Sequence, residues 1–132
     1  MNFEKYLRLI EVAKECHIAN NALMVSNGEI ENPVDWNELD THTKNINLAS
    51  VLKIYDYPNL TAEDIHDEWM LNKIDDGWVY GEVKDEERKT HPLICDFDSI
   101  NDIDKMKDQI FIDKVNSRRN YIDGVSDNEV FV

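Results

Sequence analysis

The chain has 132 residues, 42% hydrophobic and 32% charged, which fits one soluble globular domain with a sizeable core. Its formal net charge of -14 argues against direct nucleic-acid binding, which needs Lys and Arg to neutralise phosphates, and against anionic membranes. No apolar run reaches the roughly 18 residues of a membrane span.

Solubility is the ordinary use of such a charge. Imitation of DNA is the sharper use, but here the acids are interleaved with lysines and not arrayed in unbroken rows. The opening Met1-Asn2-Phe3-Glu4-Lys5 has neither a basic region nor an apolar core, so it does not read as a signal peptide. A cytoplasmic protein is expected. Cys16 and Cys95 lie far apart with no paired spacing and read as free, buried thiols.

Phe3, Tyr6, Ile10 and Ala13 recur at helical spacing behind Asn2, a cap residue, and predict a helix from Phe3 to Leu23. The stripe continues through His17 and Asn20, which read equally as core residues holding a backbone carbonyl or as site residues. A second face, Leu9, Val12, Cys16, Ala19 and Leu23, is apolar too, so burial on two sides is expected. Ser26 to Pro33 is a loop by composition. Asp35 and Glu38 have capping-box spacing and predict a helix from Trp36 to Tyr55, with Leu48, Val51, Leu52 and Tyr55 inward and Pro58 beyond its end.

Thr61 with Asp64 opens a third helix, Ala62 to Ile74, with Ile65 and Trp69 on one side, and Asp76-Gly77 stops it. Trp78-Val79-Tyr80 reads as a short extended segment ended by Gly81. The charged Val83 to Thr90 is expected to be a loop or hairpin excursion, and Leu93-Ile94-Cys95 a buried extended piece. Ser99 with Asp102 gives a further cap and predicts a helix from Ile103 to Arg118 with Ile103, Met106, Ile110, Phe111 and Val115 inward. Asn120 to Val132 reads as an acidic tail whose Val130-Phe131-Val132 could dock on a neighbour. The expected fold is mainly α: a compact helical domain of about four helices with short extended segments.

Most site chemistries are absent. The four histidines, His17, His42, His66 and His91, never pair at i, i+4, and no second Cys neighbours either cysteine, so no metal site is expected. Asp96-Phe97-Asp98 begins like a calcium loop, but Asn101 and Lys107 stand where the loop needs Gly and Glu. No nucleophile elbow and no phosphate-cradling glycine loop occurs. Cys16 and His17 are adjacent, which on a helix points them apart, so they form no dyad with each other. No catalytic residue and no cofactor is expected.

What remains is an aromatic and basic group: Trp69, Trp78 and Tyr80 with Lys73, Lys84, Lys89 and His91. Aromatic faces stack flat rings, and Lys and His donate to phosphate or ribose oxygens, so the group could form an anion pocket in an acidic protein. The competing reading makes both tryptophans core residues, with the lysine stems lying along the surface.

The same residues resemble the RyR domain, the repeat first defined in ryanodine receptor calcium channels. Its pattern is H-x-x-W-x-x-x-K on a helix, then G-W-x-Y-G, a K-D-x-x-x-K stretch and H-P. This chain reads His66-Asp67-Glu68-Trp69 with Lys73, Gly77-Trp78-Val79-Tyr80-Gly81, Lys84-Asp85, and Lys89-Thr90-His91-Pro92. The later Asp96-Phe97-Asp98-Ser99-Ile100 and Lys107-Asp108 are similar to the domain's closing helix. Upstream, Cys16-His17-Ile18-Ala19-Asn20, Trp36 and Pro58-Asn59 resemble the lead-in of small stand-alone RyR proteins of bacteria and their viruses. One departure is Leu93-Ile94-Cys95-Asp96-Phe97, where the family often has a tyrosine.

The resemblance implies a helical lead-in over 1–60 packed on a RyR repeat over 61–119, with the tail over 120–132, as one globular domain. It implies a non-enzymatic protein that binds a nucleotide-derived signal such as an ADP-ribose derivative or an adenine nucleotide. Such a protein could act as a phage sponge for a host antiviral messenger, in the host cytoplasm, and could form a homo-oligomer. The expected ligand-binding residues are Trp69, Trp78 and Tyr80 for the ring, Lys73, Lys89 and His91 for phosphate or ribose, and His17 and Asn20 closing the pocket. The alternative is an acidic adaptor or inhibitor engaging a basic host protein.

Overall fold

A computed structural model describes residues 2–125. It is mainly helical: α1 Phe3–Ser26, α2 Thr41–Asp56, α3 Ala62–Asp75, α4 Asp102–Ser117 and α5 Arg119–Asp123. Two short strands, β1 Val79–Tyr80 and β2 Thr90–His91, lie between α3 and α4. The chain divides into two compact units, Met1–Asn59 with Ile110–Val132, and Leu60–Gln109. No helix is long and apolar enough to cross a membrane among the described residues.

In the first unit, Asn2 caps α1 by accepting from the Lys5 N–H at 2.7 Å. Leu9, Val12, Ala13 and Cys16 are buried, the i, i+3, i+4, i+7 set of one helical face. The other expected stripe turns outward at its start: Phe3 is 72% exposed and Tyr6 also lies open, so α1 buries mainly one face. Burial pushes the Cys16 thiol up to about 12, which leaves it protonated and inert.

The helix expected from Trp36 starts later. Asp35 makes no capping bond, and Trp36–Glu38 is a single 3-10 turn followed by extended Leu39. Asp40 then caps α2, accepting from Thr43 N–H at 2.7 Å, and hydrogen bonds from the Thr43 side chain and main chain hold its carboxyl below the usual range. Two cap signals compete within six residues, and the one leading into the apolar run of α2 wins. Val51 and Ile54 are buried there.

The expected tail also begins later than Asn120. Residues 119–123 form α5, and Ile122 is fully buried. Arg119 donates to the Ile54 and Tyr55 carbonyls at the end of α2, and Arg8 donates to the Ile122 carbonyl at 3.0 Å. Five residues carry too little periodicity to be read locally; the Arg8 side chain of α1 and the main-chain carbonyls of α2 define the element. Val130-Phe131-Val132 lie outside the described residues.

The second unit is built on α3. Thr61 and Asp64 form a reciprocal capping box at its start. Its end is a Schellman turn: Trp78 N–H reaches Lys73 O at 2.9 Å and Gly77 N–H reaches Ile74 O at 3.0 Å. Gly77 sits at φ +90, where a side chain would be strained. That turn delivers the chain into β1. β1 and β2 pair in parallel, with Val79 opposite Thr90 and Tyr80 opposite His91. Between them, Asp85 and Thr90 exchange two main-chain bonds as an antiparallel bridge, and the Asp85 carboxylate accepts from the Glu87 and Arg88 N–H groups.

Leu93-Ile94-Cys95 forms no strand; only Ile94 is buried, and the chain turns directly after Pro92. Asn101, and not Ser99, caps α4 by accepting from Asp104 N–H at 2.9 Å. On α4, Phe111, Ile112 and Val115 are buried, whereas Met106, expected inward, is 51% exposed.

A candidate ligand-binding cluster on the second unit

Five aromatic rings gather around α3. Trp69 stacks on His66 with centroids 5.7 Å apart, and the His91 ring meets Trp69 edge-on at 4.9 Å. Trp78 lies 6.3 Å from His91, also edge-on, and Phe97 lies 5.9 Å from His66. The capping turn of α3 and the pairing of β2 place Trp78 and His91 together. Lys73 lays its amine over the Trp78 ring, 4.4 Å from the centroid, a cation–π contact.

His66 is 2% exposed, on the buried side of α3 with Ile65. Its Nε2 lies 2.8 Å from the Cys95 carbonyl, which can only accept, so Nε2 carries the hydrogen. Its Nδ1 lies 4.0 Å from Asp108. Burial pushes the Asp108 carboxyl up to about 6, with His66 and Lys107 opposing. His66 therefore ties α3 to the chain after Pro92. The sequence pattern marked it only as part of a signature; its spacing of three from Trp69 was the available sign that both rings share one side.

His91 is half-buried, and its Nδ1 accepts from the Leu93 N–H at 3.1 Å. Burial holds its pKa well down, to about 4, and Lys84, Lys73 and Lys107 lower it further while Asp104 opposes. At neutral pH the ring is therefore uncharged in a locally cationic setting.

Trp69, Lys73, Trp78 and His91 are thus brought together. Tyr80 is 57% exposed at the strand edge and joins none of these ring contacts among the described residues. Lys89 adopts φ 54 and donates to the Asp76 carbonyl at 2.7 Å, capping the end of α3. His17 and Asn20 belong to the first unit. His17 Nε2 lies 2.6 Å from the Val34 carbonyl and Asn21 donates to the same oxygen at 3.0 Å, so His17 does hold a backbone carbonyl. Asn20 Oδ1 is buried without a hydrogen-bond partner among the described residues. A shallow hollow of about 290 Å³ lined by Ala19, Ile110, Asp113, Lys114 and Ser117 contains none of the expected site residues. No group of three potential metal ligands gathers among the described residues.

The family model of the RyR domain matches residues 32–115. The chain belongs to the RyR domain family. The matched span includes α2, the whole cluster and most of α4, and it leaves α1 with His17 and Asn20 outside. No solved structure matches this RyR domain chain.

The pKa directions of Asp108 and His91 give opposite pH linkages. The folded protein holds the Asp108 proton more tightly than the unfolded chain, whose value is 3.8. Its contribution is full below that value and is lost as the pH rises through about 6, on the order of 3 kcal/mol. Folded His91 holds its proton less tightly than the unfolded 6.5, so its contribution is present above 6.5 and is lost as the pH falls towards about 4. The two offset each other between roughly pH 4 and 6. Asp108→Asn should therefore lose stability on acidification relative to the parent, and His91→Gln should gain it. Urea melts at three pH values decide this; parallel profiles for all three proteins would contradict it.

Proposed function

We propose that this RyR domain chain binds, without turning it over, an anionic ligand that carries a flat ring, at the cluster of Trp69, Lys73, Trp78 and His91. Nucleotide-derived signals such as ADP-ribose species or adenine nucleotides have that chemistry. The observation that carries the reading is the gathering of Lys73, Lys84 and Lys107 around an uncharged His91 and two tryptophans, in a chain of net charge -14. An anion repelled by most of the surface is attracted there.

Lys73 occupies one face of Trp78, so the ligand ring stacks on the other. Tyr80 stands at the margin, and Lys89 contributes through the two ammonium hydrogens that Asp76 leaves free. His17 has its donor committed to Val34 and takes no part in the reading. Use of such binding by a prokaryotic or bacteriophage protein to sequester a defence messenger in the cytoplasm rests on the family resemblance.

Titration calorimetry with ADP-ribose, cyclic ADP-ribose and ATP tests the reading. At least one should bind at about 1 µM or tighter. Trp78→Ala should weaken it at least about fivefold, the worth of one stacked ring. No heat and no thermal shift with any of the three would sink the idea. The net charge of -14 also favours a second reading, an acidic module that grips a basic protein partner. That reading requires salt-sensitive co-purification that Trp78→Ala leaves unchanged.

A further inference from the structure

We propose that His91 reads the anionic group of the ligand as a neutral hydrogen-bond donor through its Nε2–H, so that affinity for an anion of fixed charge stays constant where an ordinary histidine titrates. This rests on the ligand-binding reading above and adds the atom, the tautomer and the pH behaviour.

A main-chain N–H can only donate, so the bond from Leu93 requires a lone pair on Nδ1 and puts the single ring hydrogen on Nε2. Protonating Nδ1 would set two N–H groups against each other. Leu93 has little freedom to withdraw, because Pro92 fixes the intervening backbone and His91 is paired to Tyr80 in the sheet. The ring itself is held by the edge contacts to Trp69 and Trp78.

The charged groups that act on it come from three elements: Lys73 from α3, Lys84 from the segment after β1, and Lys107 and Asp104 from α4. Lys107 is itself paired with Asp104 at 2.9 Å. Three ammonium groups against one carboxylate disfavour a further positive charge on the imidazole. Among the described residues nothing accepts from Nε2, and that atom is not sealed away from solvent. The division of labour follows. The lysines supply long-range attraction, while His91 supplies a directional bond that adds no charge.

Two measurements test this. Nitrogen-detected NMR of the ligand-free protein should show His91 with Nε2 protonated and Nδ1 bare from pH 5.5 to 8. Calorimetry with ADP-ribose, whose pyrophosphate diester keeps a fixed charge over that range, should give dissociation constants that agree within about twofold. His91→Gln, which offers an amide N–H near the Nε2 position, should stay within about tenfold of the parent; His91→Phe should lose at least about tenfold. A ligand-free His91 that titrates above about pH 6 overturns the inference, as does binding that tightens tenfold on acidification or a His91→Phe protein that binds like the parent. Absence of ADP-ribose binding by the parent overturns the ligand reading and the anion-reading role with it. A titrating His91 in a chain that does bind overturns the neutral-donor inference alone.

Discussion

Trp69→Ala should lower stability by about 3 kcal/mol, the low end of the range for truncating a large aromatic, because the ring is half-buried. Trp69 is the ring between His66 and His91, at 5.7 and 4.9 Å. Without it, the two imidazoles lose their shared wall, His66 keeps its bond to Cys95 in a looser setting, and the His91 ring is no longer confined from the α3 side. Ligand affinity should fall as a consequence. Trp78→Ala separates the two roles. Both rings are half-buried, but Trp69 sits between two imidazoles. Trp78 meets the His91 ring at 6.3 Å and carries Lys73 on one face, so its removal should cost less stability while still weakening ligand binding. Chemical denaturation and calorimetry on both variants decide between core and site. If Trp69→Ala is no more destabilising than Trp78→Ala, the role of Trp69 as the wall between the two imidazoles is wrong.

Gly81→Ala should be the costliest single methyl in the second unit. A Cβ at that position would lie 2.5 Å from the Thr90 Cβ and 3.0 Å from its methyl, closer than carbon atoms approach. Thr90 cannot simply turn aside, because its hydroxyl donates to the Val83 carbonyl and its main chain bonds Asp85 in both directions. The clash must then push β1 from β2, where Gly81 N–H reaches His91 O at 3.3 Å. Overpacking of this kind costs about 1–3 kcal/mol. Loss of the β1–β2 register should also move His91 from Trp78 and weaken ligand binding. Gly81→Ala together with Thr90→Gly should recover part of both, and a single variant as stable as the parent would show that the strands tolerate separation.

The elements that were legible are those written in local spacing. Asn2 before an apolar i, i+3, i+4 set marks α1, and Thr61, Asp64 and Gly77 mark both ends of α3, because caps and helical faces involve residues within four positions of each other. The expected start of α2 at Trp36 fails for the same reason: Asp35 and Asp40 offer similar local signals, and the capping bond forms at Asp40. α5 is not legible locally because Arg8 and the α2 carbonyls that hold its Arg119 lie far away in the chain.

The candidate cluster divides along the same line. By itself the sequence determined the family signature, the absence of nucleophile and phosphate-loop motifs, and the concentration of Trp, Lys and His between α3 and β2. The tertiary structure decided what each residue is free to do. It committed Lys89 to the α3 carbonyl end, left Tyr80 at the edge, and fixed His66 on a carbonyl 29 residues away. It also made His91 a neutral donor, through the Leu93 N–H and the lysines of three different elements. Residue type and spacing say which groups are available. Protonation state and free hydrogen-bonding capacity depend on burial and on charges brought close by the fold, and no local pattern contains them.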